Sequence, residues 1–338
     1  MLGFQDIYGN ERLKERLLHT VRSGNVLNSY VFEGADGIGK KTTADIFAAA
    51  LLCGERENAP CGQCEICAKT GSHNHPDVIY VRKKKDKATV GIDDVREQVM
   101  ETVYVKPLLA DRKIFIIEDG GALTAGAQNG LLKILEEPPA YAVFLILVPK
   151  AGMLLDTVLS RSVVCTFLPL PYAEVYRYFC KHMQKPEEQL QFAARFSQGV
   201  IGRGLMLLED GEYMELYSCT ARFMELLLRS DEAVTDFERF LLDHKDKLDF
   251  VIDFMLIFLR DCVLCRLNME EQVLCRDKLY EIKSAGAAVS KKALVSAMDC
   301  VLRYQKRTAA NANASVSALE LLMSIREEMD DKGNRCQV

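Results

Sequence analysis

The sequence lacks any hydrophobic run long enough to cross a bilayer. Its longest apolar stretch, residues 250–259, is interrupted by Asp253, whereas a transmembrane helix needs about 20 apolar residues. The N-terminus also lacks the features of a secretory leader, because charged residues fall within its first dozen positions and no apolar core precedes a small-residue cleavage site. We therefore expect a cytoplasmic protein that does not contact the membrane.

The chain also lacks an excess of positive charge. Its 43 Lys and Arg are outnumbered by 48 Asp and Glu, giving a formal net charge of −5, which argues against a protein that coats nucleic acid in bulk. A local basic face is still compatible with this balance, and the densest basic run covers residues 82–87. We favour the interpretation that this run is a solvated loop between a strand and a helix rather than a DNA contact.

Disulfides are not expected from the twelve cysteines, because a chain of this size without a leader keeps its thiols reduced or bound to metal. Four of them are separated by gaps of seven, two and two residues: Cys53, Cys61, Cys64 and Cys67. Two-residue gaps let successive thiolates face one ion, so the sequence predicts a closed zinc site with four cysteine ligands, which is structural rather than catalytic. His73 and His75 lie nearby as alternative ligands, but we interpret them as solvent-exposed loop residues.

Short β-rich runs recur in the first half of the chain, with helical segments between them. They cover residues 30–32, 78–81, 114–117, 143–148 and 163–167. Nearly continuous apolar strands that alternate with helices predict an α/β domain whose parallel sheet is covered on both faces. The strand pattern ends at Pro169 and Pro171 and does not return.

The length of 338 residues predicts two to three domains. We expect an α/β core at residues 1–168 that carries the zinc module at 53–67, a short helical domain at 169–208, and an all-helical domain at 209–338. Helical spacing within the last domain covers 213–228, 231–242, 247–267, 270–284, 290–304 and 315–329. Its several apolar faces suit either assembly with partner chains or a self-contained bundle, and the sequence leaves both open.

A glycine-rich loop follows the first strand and precedes a helical segment. Its glycines and lysine match a phosphate-binding loop: Gly34, Gly37, Gly39 and Lys40. In such a loop, backbone N–H groups and the lysine hold phosphates while an adjacent Ser or Thr hydroxyl holds Mg²⁺. Here Lys41 takes the place of that hydroxyl, and Thr42 comes one residue late, which turns it about 100° around the helix.

Two further segments suit phosphate chemistry. Glu118 and Asp119 follow the apolar run 114–117, and paired acids at the end of a strand suit Mg²⁺ coordination and activation of water. The usual order places the shorter Asp first, so this pair is inverted. Arg161 precedes the last strand; it is either a surface residue or an arginine finger offered to a neighbouring chain.

These segments together resemble the AAA+ clamp-loader subunits of bacterial DNA polymerase III over nearly the whole chain. The resemblance rests on residues 4–10, 113–119, 127–139 (AQNGLLKILEEPP) and 155–162, where Ser162 replaces the cysteine of the family pattern. Near the C-terminus, residues 311–313 and 318–322 are similar to the closing helix of the family's collar domain.

The resemblance implies an AAA+ core with an inserted zinc module, a small helical lid and a helical collar that joins five subunits in a ring. It implies a hetero-oligomer with the γ/τ and δ subunits, through which the chain meets the sliding clamp and primed DNA. Arg161 then reaches the ATP site of the adjacent γ/τ subunit. The chain is most similar to a family member that does not hydrolyse ATP and acts as a rigid stator.

Departures from a working ATPase agree with that assignment. Besides Lys41 and the inverted acids, a third departure is the apolar stretch 147–149, where an active relative carries a polar sensor residue. Arg203 is the candidate for the second sensor arginine. We do not expect hydrolysis by this chain, and the sequence leaves open whether ATP binds without turnover. The alternatives are an active γ/τ-like ATPase, favoured by the intact glycines and Lys40, and a zinc-dependent nucleic-acid-binding module.

Overall fold

The computed structural model describes residues 3–84, 87–308 and 314–330. Lys85 and Asp86 of the basic run and residues 311–313 of the resemblance lie outside the described residues. The chain forms two compact units, Met1–Leu205 and Met206–Val338. The finer division into three domains stays a prediction.

The first unit is built on a five-stranded parallel sheet with the order β2-β3-β4-β1-β5. The strands are β1 (Ser29–Glu33), β2 (Val78–Val81), β3 (Lys113–Ile117), β4 (Ala142–Val148) and β5 (Val163–Thr166). The α/β fold class predicted from the sequence is therefore confirmed, and each predicted apolar run contributes one strand.

Helices connect the strands and continue beyond the sheet. Helix α1 (Glu11–Ser23) precedes β1. Those between strands are α2 (Lys40–Leu52), α3 (Glu65–Gly71), α4 (Ile92–Val95), α5 (Glu101–Val103), α6 (Ala125–Glu136) and α7 (Asp156–Leu159). A π-helical turn, Arg96–Met100, joins α4 to α5. After the sheet come α8 (Tyr172–His182), α9 (Glu187–Phe196) and α10 (Ile201–Glu209), which crosses from the first unit into the second.

Alternate residues of each strand enter separate cores on the two faces of the sheet, as the period-two geometry of a strand requires. On β1, Phe32 packs with Phe47 of α2, whereas Val31 faces the opposite core with α4 to α7. On that second face the rings of Phe115 and Phe144 stack with centroids 5.0 Å apart. The sheet is thus covered on both sides, which explains its nearly continuous apolar strands.

A buried carboxylate anchors the segment that enters β3. Asp77 is fully buried and accepts hydrogen bonds from the backbone N–H groups of residues 108, 109 and 110 at 2.7, 2.8 and 3.0 Å. Lys113 is also buried and donates to the carbonyls of Thr102 and Val105; burial lowers the pKa of this ammonium group. These contacts fix a segment whose Leu108 side chain is 74% exposed.

Within the described residues the second unit contains helices and no strands. Its helices are α11 (Gly211–Arg229), α12 (Val234–Asp243), α13 (Leu248–Arg266), α14 (Leu279–Ala288), α15 (Lys291–Thr308) and α16 (Ala314–Asp330). None of the helices described combines the length and the apolar character that a membrane span requires.

The predicted helix at 270–284 is wrong in its first half. Helix α14 begins only at Leu279, and two short 3-10 turns precede it. The buried carboxylate of Asp261 accepts the N–H groups of Leu274 and Cys275 at 3.0 and 2.9 Å. Those amides are consequently not available for helical hydrogen bonds, which sequence spacing alone does not reveal.

We expect the substitution Asp77→Ala to lower the free energy of unfolding by about 2–4 kcal/mol, because it leaves three backbone N–H groups without their acceptor. Asp93→Ala is the matched control, since the side chain of Asp93 is 82% exposed and only makes a surface ion pair. The measurement is the midpoint of urea unfolding. Equal midpoints for the two variants would contradict the anchoring role of Asp77.

Candidate functional site

The phosphate-type loop connects β1 directly to α2 and occupies residues 34–39. Gly37 and Gly39 have φ angles of 81° and 105°, a backbone region that side-chain-bearing residues rarely adopt. The loop glycines are therefore required by the turn itself. The loop lies at the carboxyl edge of the parallel sheet, where folds of this class bind ligands.

Lys40 points back into the loop. It is 8% exposed, and its Nζ donates to the carbonyl of Gly34, to the carbonyl of Ala35 at 3.1 Å and to Oδ1 of Asp36 at 3.1 Å. These three acceptors match the three donors of an ammonium group. A phosphate could bind Lys40 only by displacing contacts within the loop.

The carboxylate expected to serve Mg²⁺ is held by two cations of the chain. Glu118 accepts hydrogen bonds from Nε and Nη2 of Arg82, both at 2.8 Å, and its Oε1 lies 3.0 Å from Nζ of Lys41. Burial on its own raises the pKa of Glu118, but Arg82 and Lys41 outweigh that effect and hold the pKa below its usual value. Lys41, which takes the place of the Mg²⁺-holding hydroxyl, thus also neutralises Glu118.

The other sequence-predicted partners lie around the same loop. Thr42 is exposed on the first turn of α2, and a carboxylate oxygen of Asp119 lies 3.5 Å from the backbone N–H of Lys83. Val148 is fully buried at the end of β4, where its carbonyl accepts the N–H of Gly34 at 3.1 Å. It therefore contributes backbone structure to the loop and no polar side chain.

Gly202, the neighbour of the predicted sensor Arg203, contacts the loop from α10. Gly202 donates its N–H to the carbonyl of Gly37 at 3.0 Å, whereas the guanidinium of Arg203 lies 5.3 Å from the ring centre of Phe196. One step along a helix changes direction by about 100°, which accounts for the difference. Sequence reasoning selected the arginine for its charge and missed the glycine.

The four clustered cysteines converge as predicted. Their Sγ atoms all lie within 4.8 Å of one another, and those of Cys61 and Cys67 are 3.9 Å apart. Four thiolates about 2.3 Å from one zinc ion are separated by about 3.8 Å. The donor set therefore fits a closed tetrahedral site, and of the described residues this is the only group found to suit a metal ion.

The local backbone brings these four thiols to one place. Cys53 follows the last residue of α2, Cys64 caps the N-terminus of α3, and its Sγ accepts the N–H of Cys67 at 3.4 Å. Backbone hydrogen bonds from Gln63 and Cys64 lower the pKa of Cys61 to about 7. Zinc bound to these four residues would join the end of α2 to the start of α3 and supply stability rather than chemistry.

The two nearby histidines are not equivalent. His73 hydrogen bonds through Nδ1 to the hydroxyl of Tyr80 at 2.7 Å, and Tyr80 in turn donates to Asp45 at 2.9 Å. His75 is only 3% exposed, so the expectation that it lies in solvent is wrong. Its Nδ1 accepts the N–H of Asp77 at 3.1 Å, which ties it to the anchor of the β3 segment rather than to the cysteines.

Three of the four described cations of the basic run are paired with acids of the same chain. Arg82 binds Glu118, Lys84 lies 2.8 Å from a carboxylate oxygen of Glu97, and Lys87 lies 3.2 Å from one of Asp94. Because Asp94 is fully buried, the Lys87 pair contributes to the local fold. These contacts remove much of the charge that a DNA contact would need.

Arg161 lies at the other edge of the sheet from the phosphate-type loop. The hydroxyl of the next residue, Ser162, is 2.7 Å from that of Ser29, the first residue of β1, whereas the loop follows the last residue of β1. Five strand residues separate the two edges by about 17 Å. Arg161 therefore cannot act on the loop of its own chain.

The guanidinium of Arg161 is at the surface, with its side chain 36% exposed. Nη1 donates to the carbonyl of Thr157 at 2.9 Å and contacts Oγ of Ser160 at 3.1 Å, while Nη2 lies 3.0 Å from a carboxylate oxygen of Glu136. An exposed pair of this kind is worth at most about 1 kcal/mol. The guanidinium of Arg161 is thus oriented in advance, and it can readily leave Glu136 for another anion.

The segment ahead of Arg161 is fixed by a residue that sequence reasoning did not single out. The buried amide of Gln128 donates to the carbonyls of Leu123 and Met153 and accepts the N–H of Leu155 at 2.7 Å. Gln128 lies on α6 within the segment that carried the family resemblance. Its hydrogen bonds with Met153 and Leu155 hold the start of α7, so α6 helps to set the position of Arg161.

Comparison with known proteins agrees with this geometry. Residues 9–171 match the family described as "DNA polymerase III, delta subunit". Subunit delta' of DNA polymerase III from Bacillus subtilis is 24% identical over 321 residues, which cover 94% of this chain and 96% of that protein. Subunit tau/gamma from Haemophilus influenzae is 34% identical over 214 residues, 61% of this chain but 30% of that protein.

Among solved structures, a DNA polymerase III gamma subunit-related protein from Thermotoga maritima aligns with 93% of this chain and 99% of that chain, at 18% identity and a TM-score of 0.46. The five-stranded parallel sheet and the phosphate-type loop after β1 define an α/β protein of the P-loop type. The chain is thus similar over nearly its whole length to a clamp-loader subunit of bacterial DNA polymerase III.

We expect one tightly bound zinc ion per chain, and we expect Cys64→Ser to weaken its retention and to destabilise the contact between α2 and α3. The measurement is elemental analysis of protein purified without added metal, together with thermal unfolding before and after chelation. Cys180→Ser is the control, because Cys180 is exposed and lies outside the cluster. Metal-free wild-type protein would contradict the assignment.

Proposed function

We propose that this chain serves as the delta' subunit of the clamp loader, a largely non-hydrolysing stator that helps to load the sliding clamp onto primed DNA. Its partners are the γ/τ and δ subunits, and it meets the clamp and DNA through the complex in the cytoplasm. The second unit, with its helices α11 to α16, is the collar through which the subunits assemble.

The observation that carries this proposal is the pairing of Glu118 with Lys41 and Arg82. Phosphoryl transfer depends on a metal ion and on charges placed for the transition state. A carboxylate already neutralised by two cations is a poor ligand for Mg²⁺, and α10 presents Gly202 to the loop instead of a charged side chain. These contacts support a loop that does not hydrolyse ATP.

The role in trans belongs to Arg161. Its exposed guanidinium lies at the edge of the sheet opposite to its own loop and is held by contacts with Thr157, Ser160 and Glu136. A planar cation in that position suits a γ-phosphate offered by a neighbouring γ/τ subunit. We therefore propose Arg161 as the residue of this chain that contributes to catalysis.

An active γ/τ-like ATPase is the second candidate, because the loop retains Gly34, Gly37, Gly39 and Lys40. ATP binding stays a proposal, with these residues, Thr42, Glu118 and Asp119 as its site. A zinc-dependent nucleic-acid-binding module has less support, since three of the four described cations of the basic run are paired.

We expect Arg161→Ala, placed in a reconstituted clamp loader, to slow ATP turnover about a hundredfold or more at the one site that it faces, because an arginine finger contributes about 10³–10⁵ to turnover. DNA-stimulated ATPase activity and clamp loading onto primed DNA are the two measurements. Arg96→Ala provides the control, because Arg96 is exposed and pairs only with Asp93. Unchanged loading by the Arg161 variant would rule out the finger.

Measurements of ATP binding and hydrolysis on the isolated wild-type chain distinguish a stator from an ATPase. We expect calorimetry with ATP to show an affinity that changes less than about twofold on addition of Mg²⁺, because Lys41 and Arg82 already occupy Glu118. Steady-state phosphate release should stay at the background level. Tight Mg²⁺-dependent binding with turnover would instead establish the γ/τ-like alternative.

A further inference from the structure

The lid segment that follows β5 docks on the phosphate-type loop through backbone atoms. Gly202, the second residue of α10, donates its N–H to the carbonyl of Gly37 at 3.0 Å. The first N–H groups of any helix have no acceptor within the helix. The loop therefore supplies the acceptor that this helix end lacks, at the place where a phosphate would otherwise be expected to approach.

The two backbones approach so closely that neither position accepts a side chain without movement. A Cβ atom on Gly202 would lie 2.6 Å from Cα of Gly37 and 2.8 Å from its carbonyl oxygen. A Cβ atom on Gly37 would lie 3.1 Å from Cα of Gly202. The contacted atoms are backbone, so they cannot turn aside as a flexible side chain could.

One further hydrogen bond closes the lid segment on itself, and one side chain holds the start of this segment on the core. Leu170 donates its N–H to the carbonyl of Gly199 at 2.9 Å. The side chain of Asn10 pairs with both backbone groups of Leu168, accepting at 2.8 Å and donating at 3.2 Å. The segment is consequently held at its start by the chain ahead of α1 and at its end by the loop.

We propose that the phosphate-type loop of this chain is a docking site for its own lid, and that the backbone contact between Gly37 and Gly202 fixes the lid on the core without nucleotide. The loop and the lid are joined directly. This contact is separate from the proposed role in trans, because it concerns how the lid and the core of one chain are held together and does not depend on Arg161.

The wild-type full-length protein tests the contact without any substitution. We expect the amide of Gly202 to exchange with deuterium roughly tenfold more slowly than an unstructured amide in the absence of nucleotide, the effect of one backbone hydrogen bond. Addition of ATP should leave that rate unchanged within about twofold. Free exchange without nucleotide, or strong protection that appears only with ATP, would overturn the proposal.

Gly202→Ala and Gly126→Ala form a matched pair of variants. Each replaces the second residue of a helix with a better helix former, but the nearest atom to a Cβ on Gly126 is Oγ1 of Thr124 at 4.0 Å. We expect Gly202→Ala to raise amide exchange in residues 35–39 and 199–203 roughly three- to tenfold. Gly126→Ala should leave these segments unchanged, and equal exchange in both variants would overturn the proposal.

Discussion

Because all five strands of the sheet run in the same direction, the first unit has two chemically different edges. The loop after β1, Glu118 after β3 and the lid contact at Gly202 meet at the carboxyl edge. Ser29 and Ser162 mark the amino edge, and Arg161 lies beside them. The direction of the strands therefore separates the group that can act on a phosphate from the loop shaped to hold one.

At the carboxyl edge, the chain supplies from its own side chains and backbone what a nucleotide and metal would supply elsewhere. The ammonium of Lys41 and the guanidinium of Arg82 stand next to Glu118, Lys40 satisfies carbonyls of the loop, and Gly37 receives the N–H of Gly202. A buried acid without such partners would be costly. The contacts that stabilise the site are consequently the same ones that we propose to withdraw Glu118 from catalytic chemistry.

Much of this arrangement could be predicted from the sequence, because it depends on local patterns. Strand positions, the closed cysteine site and the replacement of a hydroxyl by Lys41 all follow from spacing and side-chain type. Contacts between distant segments could not be predicted in this way. Glu118 and Arg82 are 36 residues apart in the sequence, and the burial of His75 depends on the fold around Asp77. Gly202 was missed for a different reason, since its importance comes from having no side chain.

Arg161 depends on the rigidity of the parts behind it. A guanidinium that must reach a phosphate on another chain gains from being held in advance, since each rotamer ordered on binding weakens the interaction. Gln128 fixes the segment ahead of α7 through buried hydrogen bonds, and α6 itself packs on the core through Leu131 and Ile134. The backbone of this segment is thus held in place, and only the charged tip of Arg161 is free to move. Because its ion pair with Glu136 is exposed, the guanidinium can exchange that carboxylate for a phosphate at little cost.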